Sequence, residues 1–138
     1  MAIGQTIERG AFQAALDRAR SENQSGDYNI AYHYTDYWGA LRIGFDQMIR
    51  ADARNRTYFT FEQMGPLEAR DRLFAGGVSN PHKGSFVIIF LLEVGYPMSV
   101  DPSTTPVGFY ATGPIRNGRG AYFVYGGQNY FPNDPGWQ

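Results

Sequence analysis

Apolar and polar positions along the chain change period several times, and each change marks an element. Over residues 6–23, Ile7, Ala11, Ala15 and Ala19 recur at intervals of four with Phe12 and Leu16 beside them, opposite Glu8, Asp17, Arg18 and Arg20. That spacing predicts an amphipathic N-terminal helix. The polar run SENQSGD breaks it, and the aromatic, branched stretch 28–34 (YNIAYHY) predicts a strand with His33 near its end. Asp36 is placed to cap a second helix, in which Trp38, Leu41, Phe45, Met48 and Ile49 recur at helical spacing as far as Ile49. After a charged loop, residues 57–61 (TYFTF) read as a strand. Pro66 then opens a short helix over LEARDRLF, ended by Gly76 and Gly77. The unbroken apolar run in SFVIIFLLEV predicts a central strand covered on both faces. Further strands are expected at 107–111 and 121–125, in a half rich in proline and glycine. Helices and strands in this order predict an α+β domain and not regular parallel units.

Composition narrows the class. A chain of 138 residues without cysteine, 43% hydrophobic, is a normal size for a single domain spanning 1–138 with no disulfide or thiolate metal site. Twelve basic and 13 acidic residues leave a net charge of −1, so no global field draws the protein to nucleic acid or an anionic membrane. The longest apolar run, Phe86 to Leu92, is far short of the ~20 residues needed to cross a bilayer. The start MAIGQTIERG lacks the layout of a signal peptide and suits a domain carried by something larger. A soluble protein is expected. Aromatics at 16% and 17 glycines suggest short strands, tight turns and a stacking-rich cleft. No GxGxxG follows a strand and no GxxxxGK[ST] loop occurs, so a dinucleotide would bind by a route other than a Rossmann or phosphate-loop one.

Two stretches carry candidate chemistry: YHYTDYWGALRIGFDQMI at 32–49 and TYFTFEQMGP at 57–66. Together, in this order and on these elements, they resemble the paired motifs of the His-Tyr-Asp/Glu branch of ADP-ribosyltransferases. The likeness is closest to the domains carried as C-terminal warheads of bacterial polymorphic toxins, and more distant to the small rifampicin-modifying transferases. It covers about Tyr28 to Val94, roughly half of the chain. The resemblance implies a split β-sheet core with an N-terminal helix and two further short helices. It also implies NAD as substrate, delivery into target cells or a cytoplasmic site of action, and a macromolecular acceptor, protein before RNA. A cognate immunity protein is a further implied partner.

The residue types suit that reaction. Cleaving the nicotinamide to ribose bond passes through an oxocarbenium-like state, so the site must fix the ribose, hold the leaving ring and offset positive charge. By the resemblance, His33 bonds a ribose hydroxyl and Tyr58 offers a ring on which nicotinamide stacks, worth ~0.5–1.5 kcal/mol beyond area burial. The backbone of Tyr34 is then placed for the nicotinamide amide and Thr35 for the adenosine side. Thr60 completes the Tyr-x-Thr pattern as a binding position. For the third residue, Asp101 in SVDPS is the first choice and Glu93, the lone charge of the apolar strand, its rival. The late strand where the family carries its acid offers none in GRGAYFVYGG. Gln128 or Asp134 could supply the group, or catalysis is impaired.

Blander readings stand beside these. A lone histidine in an aromatic strand is more often structural, and Tyr58, Tyr110, Tyr122 and Tyr125 could all serve the core. Arg42, Arg50, Arg54 and Arg56 read first as a solvated loop, with Arg54 the candidate for the NAD pyrophosphate or an anionic target; Arg116 and Arg119 could do the same from the other side. His82 reads as an exposed turn residue, and two distant histidines without cysteine predict no metal. The competing functions are an antibiotic-modifying transferase and a non-catalytic module binding a nucleotide or partner.

Overall fold

The computed structural model describes residues 3–74 and 82–137. The elements run α1 (Ile3–Glu22), β1 (Tyr28–Thr35), α2 (Tyr37–Asp46), β2 (Met48–Ile49), β3 (Arg56–Thr60), α3 (Pro66–Leu73), β4 (Phe86–Glu93), β5 (Ser99–Val100), β6 (Gly108–Thr112), β7 (Ile115–Arg116), β8 (Ala121–Gln128) and a 3-10 turn at Pro135–Trp137. Six strands form one sheet in the order β5-β6-β3-β1-β4-β8, each neighbouring pair antiparallel. β2 and β7 make a separate two-stranded ribbon. This is a mixed α+β architecture with a mostly antiparallel sheet.

β4 lies inside the sheet and alternates its side chains between two cores. Val87 and Ile89 join Tyr32, Tyr34, Ala69 and Phe131 under α1, whose buried stripe is Phe12, Ala15, Leu16 and Ala19. Ile88, Phe90 and Leu92 join Ala31, Phe59, Ile43 of α2, Ile49 of β2 and Ile115 of β7 on the opposite face. Burial on both faces is what an unbroken apolar strand requires, and each such side chain contributes roughly 1.5–3 kcal/mol.

The second helix departs from expectation. It stops at Asp46 because Gln47 turns left-handed at φ 54°, its N–H returning to the Ile43 carbonyl. Met48 and Ile49 leave as a strand and pair with Arg116 and Ile115. The residues that gave the helical period face outward: Trp38, Leu41 and Phe45 are 73%, 53% and 91% exposed, while Ile43 faces the sheet. Asp36 does cap the helix, accepting from Gly39 N at 2.8 Å. Pro66 opens α3 as expected. The stop at Gly76 and Gly77 lies outside the described residues, as does most of the polar loop before β4.

Candidate active site

The site begins where two strands part. β1 pairs with β4 along all its residues from Tyr28 to Thr35 but registers with β3 only at Tyr32 opposite Thr60. Beyond that pair, the His33 ring spans the opening and its Nδ1 lies 2.7 Å from the Tyr58 carbonyl oxygen. The backbone on the β1 side of this opening has a determinable direction. Asp27 O accepts from Val94 N and Thr35 O from Gly84 N, so odd-numbered residues of β1 turn their peptide groups towards β4. Peptide groups alternate sides along a strand, so the N–H and C=O of Tyr34 face the parted edge.

A cavity of about 410 Å³ opens over this edge, within the range of small-molecule sites. His33, Tyr34, Tyr58 and Asp101 all line it, together with Asp52 and Lys83. A carbonyl only accepts, so His33 Nδ1 carries the proton and the neutral ring offers Nε2 as an acceptor. Burial pushes the His33 pKa below its ordinary 6.5, helped by nearby Lys83 and opposed by the bond to Tyr58. His33 is therefore neutral at pH 7.

Tyr58 stands opposite Tyr110 in the β3–β6 register, ring centroids 6.0 Å apart, and the Arg56 guanidinium lies 4.3 Å over the Tyr110 ring. Asp52 accepts through Oδ1 from Arg54 N (2.9 Å) and Arg56 N (3.1 Å). Asp101, only 7% exposed, accepts through Oδ1 from Ser103 N (3.0 Å) and Ser103 Oγ (2.8 Å) and through Oδ2 from Thr104 Oγ1 (2.8 Å). Burial raises its pKa, but these donors and Arg56 outweigh it and hold the carboxyl below its ordinary 3.8. Three of about four carboxylate acceptor sites are filled, leaving one on Oδ2.

The cavity floor is pinned from below. Tyr34 Oη donates to Glu62 O (2.9 Å) and accepts from Met64 N (2.7 Å), and buried Asn129 donates to Met64 O and Gly84 O. Tyr34→Phe leaves Met64 N–H buried without this partner and is expected to cost about 1–3 kcal/mol, read as a lower midpoint in urea unfolding.

Other expected site residues lie elsewhere. Thr35 is buried against Gly39, where a Cβ would collide with its hydroxyl, and Thr60 spends its hydroxyl on Val107 O at 2.8 Å. Both are buried and neither lines the cavity. Arg54 is exposed and off the cavity wall; Arg50 and Arg56 from the same run line it. Arg42, Arg116 and Arg119 are exposed and off the wall as well. Glu93 is the clearest displacement: it pairs with Tyr28, at the far end of β1 from His33, and bonds exposed to Tyr122. The apolar neighbours that made it look buried point inward from β4, while Glu93 falls where that strand leaves the core. Gln128 and Asp134 are exposed and off the cavity wall, and exposed His82 sits in a turn.

Sequence reading passed over Asp52 and Lys83. Asp52 had a local signal, the turn-forming run ADARN; Lys83 had none beyond proximity to a polar loop. Among the described residues no group of His, Cys, Asp and Glu is arranged to hold a metal ion, and no helix is long and apolar enough to cross a membrane. No protein-family model matches the chain, and neither curated proteins nor solved structures give a match.

Proposed function

We propose that the chain is an NAD-dependent ADP-ribosyltransferase with the split-sheet fold of that class, acting as a bacterial toxin domain. The observation that carries this reading is the meeting of His33, Tyr58 and Asp101 on one cavity at a parted strand edge.

Each wall has a task in this chemistry. The Tyr58 ring stacks on nicotinamide, and the outward-facing peptide groups of Tyr34 bond its amide. His33 Nε2 accepts from a ribose hydroxyl. Lys83, Arg50 and Arg56 supply positive charge for the pyrophosphate. Asp101, already ionised and held by its own loop, faces the positive charge that develops on the ribose ring. The C–N bond breaks with its electron pair leaving on neutral nicotinamide, and an acceptor nucleophile bonds to the ribose carbon as it gives up a proton. The acceptor is a macromolecule, protein first, or water.

Incubating the purified chain with NAD and following free nicotinamide, with and without cell lysate, tests the reading. Release dependent on lysate supports transfer, and release in buffer alone supports NAD hydrolysis. No release and no NAD binding would overturn it. Lys83→Gln is expected to weaken NAD binding roughly tenfold by calorimetry, because it removes a charge-assisted bond worth about 1.5 kcal/mol, with unchanged circular dichroism.

A further inference from the structure

On the side of the sheet that α2 covers, the helix carries an apolar face away from the core. Trp38, Leu41 and Phe45 stand three and four residues apart on one face of α2 and are exposed, while Ile43 leaves the opposite face for the core. Tyr37 meets the Trp38 ring edge-on at 5.1 Å and Phe86 of β4 at 5.6 Å, so the indole is held along one edge.

Arginines surround this face. Arg42 follows Leu41 on the helix and is exposed. In the ribbon, Ile49 and Ile115 point into the core that Ile43 also enters. Arg116, next to Ile115 on its strand, therefore points the other way, outward like Trp38 and Phe45. Arg119 is exposed in the turn that follows, its N–H donating to Arg116 O. Arg54 is exposed in the β2–β3 turn, whose Asn55 carbonyl accepts from Gly113 N just before β7. Among the described residues, these four form no salt bridge and lie over no ring, whereas each remaining arginine pairs with a carboxylate or lies over a tyrosine. Asp46, at the end of α2, is already bonded to Arg50 at 2.9 Å. The arginines without a partner charge are thus gathered around one exposed aromatic face, although the net charge of the chain is −1.

We propose that this face docks on an anionic phospholipid surface, with Trp38, Leu41 and Phe45 entering the boundary between headgroups and acyl chains and the four arginines meeting lipid phosphates. The charge selects an anionic partner, and the apolar side chains select one with an interior to enter. Nucleobases would stack on Trp38 and Phe45 but gain little from Leu41, which has no ring. None of these residues lines the cavity, so the inference is independent of the transferase reading.

The test uses the purified chain with vesicles of phosphatidylcholine alone or mixed with phosphatidylserine. Sedimentation with the mixed vesicles only, weakened by added salt, is expected. In Trp137→Phe, which leaves Trp38 as the one tryptophan, emission should move to the blue on binding. Phe45→Ser is expected to weaken binding about tenfold, and Arg42→Gln and Arg116→Gln about fivefold each, with unchanged circular dichroism because all three side chains are exposed. No sedimentation with the mixed vesicles, equal sedimentation with both kinds, or full binding by Phe45→Ser would each overturn the proposal. So would a dimer in size-exclusion chromatography that Phe45→Ser splits, which makes the face a contact between copies of the chain. Retardation of RNA by the chain without vesicle binding would overturn it in favour of a nucleic acid.

Discussion

His33→Ala is expected to abolish measurable nicotinamide release, a loss of at least about a hundredfold, while the circular dichroism spectrum stays that of the parent. Misplacing a bound ribose by about 1 Å suffices for such a loss, and the substitution removes both the ring that spans the β1–β3 opening and the Nε2 acceptor. The pH dependence carries the same signature. The folded pKa of His33 lies below 6.5, so activity should hold through neutral pH and fall on the acid side as Nε2 gains a proton. Stability follows with a definite sign. The unfolded chain takes up this proton near 6.5 and the folded chain only at lower pH, so the contribution is fully present above 6.5 and is lost as pH falls towards the folded pKa. Nicotinamide release by the parent between pH 4.5 and 8 checks the first sign, and thermal melts over the same range, with His33→Ala as the reference lacking this dependence, check the second.

Asp101→Asn should lower kcat for nicotinamide release by about a hundredfold, the scale seen when one preorganised electrostatic group is removed from a site. The amide keeps the shape and one acceptor oxygen, so the fold survives, but it offers the Thr104 hydroxyl and any oxocarbenium charge a weaker partner. Asp101→Ala goes further. It strands the Ser103 and Thr104 donors under the loop and should cost about 2–3 kcal/mol in urea unfolding as well as activity. Glu93→Ala, at the other end of the sheet, should leave turnover and stability nearly unchanged. If Glu93→Ala removed activity and Asp101→Asn did not, the assignment of the carboxylate would be reversed.

Much of the architecture was legible in local pattern. The run in β4 announced an interior strand because burial on both faces demands apolar residues at every position. Asp36 and Pro66 announced two helix starts because capping chemistry is local. The joint occurrence of a His-containing strand and a Tyr-x-Thr strand was also visible, and His33 and Tyr58 from them line one cavity. Asp101, the first choice by resemblance for its place after the apolar strand, lines that cavity as well.

Where sequence reading went astray, the deciding interaction came from a distant segment. Trp38, Leu41 and Phe45 have a helical period, yet Ile43 is the side chain of α2 that the sheet buries, because the crossing of α2 over β4 and β8 fixes which face is covered. Periodicity gives a stripe and not its partner. Ile49 looked like a last helical turn, but the Gln47 cap and pairing with Ile115 make it a strand. α3 has only Gly65 at its N-cap position, and its first N–H groups are met by Asn133 from the C-terminal tail. Thr60 and Thr35 carry a motif in sequence and packing in space.

The sequence by itself determined the three helices and the longer strands, that the domain is α+β, and that His33 stands near a strand end, since these follow from period, caps and turn chemistry within a few residues. Only the tertiary structure decided which carboxylates reach His33 and Tyr58, that β1 and β3 part after Tyr32, and that Asp52 and Lys83 share the cavity. Those outcomes depend on the register between strands and on loops closing from far along the chain, and no local pattern encodes either.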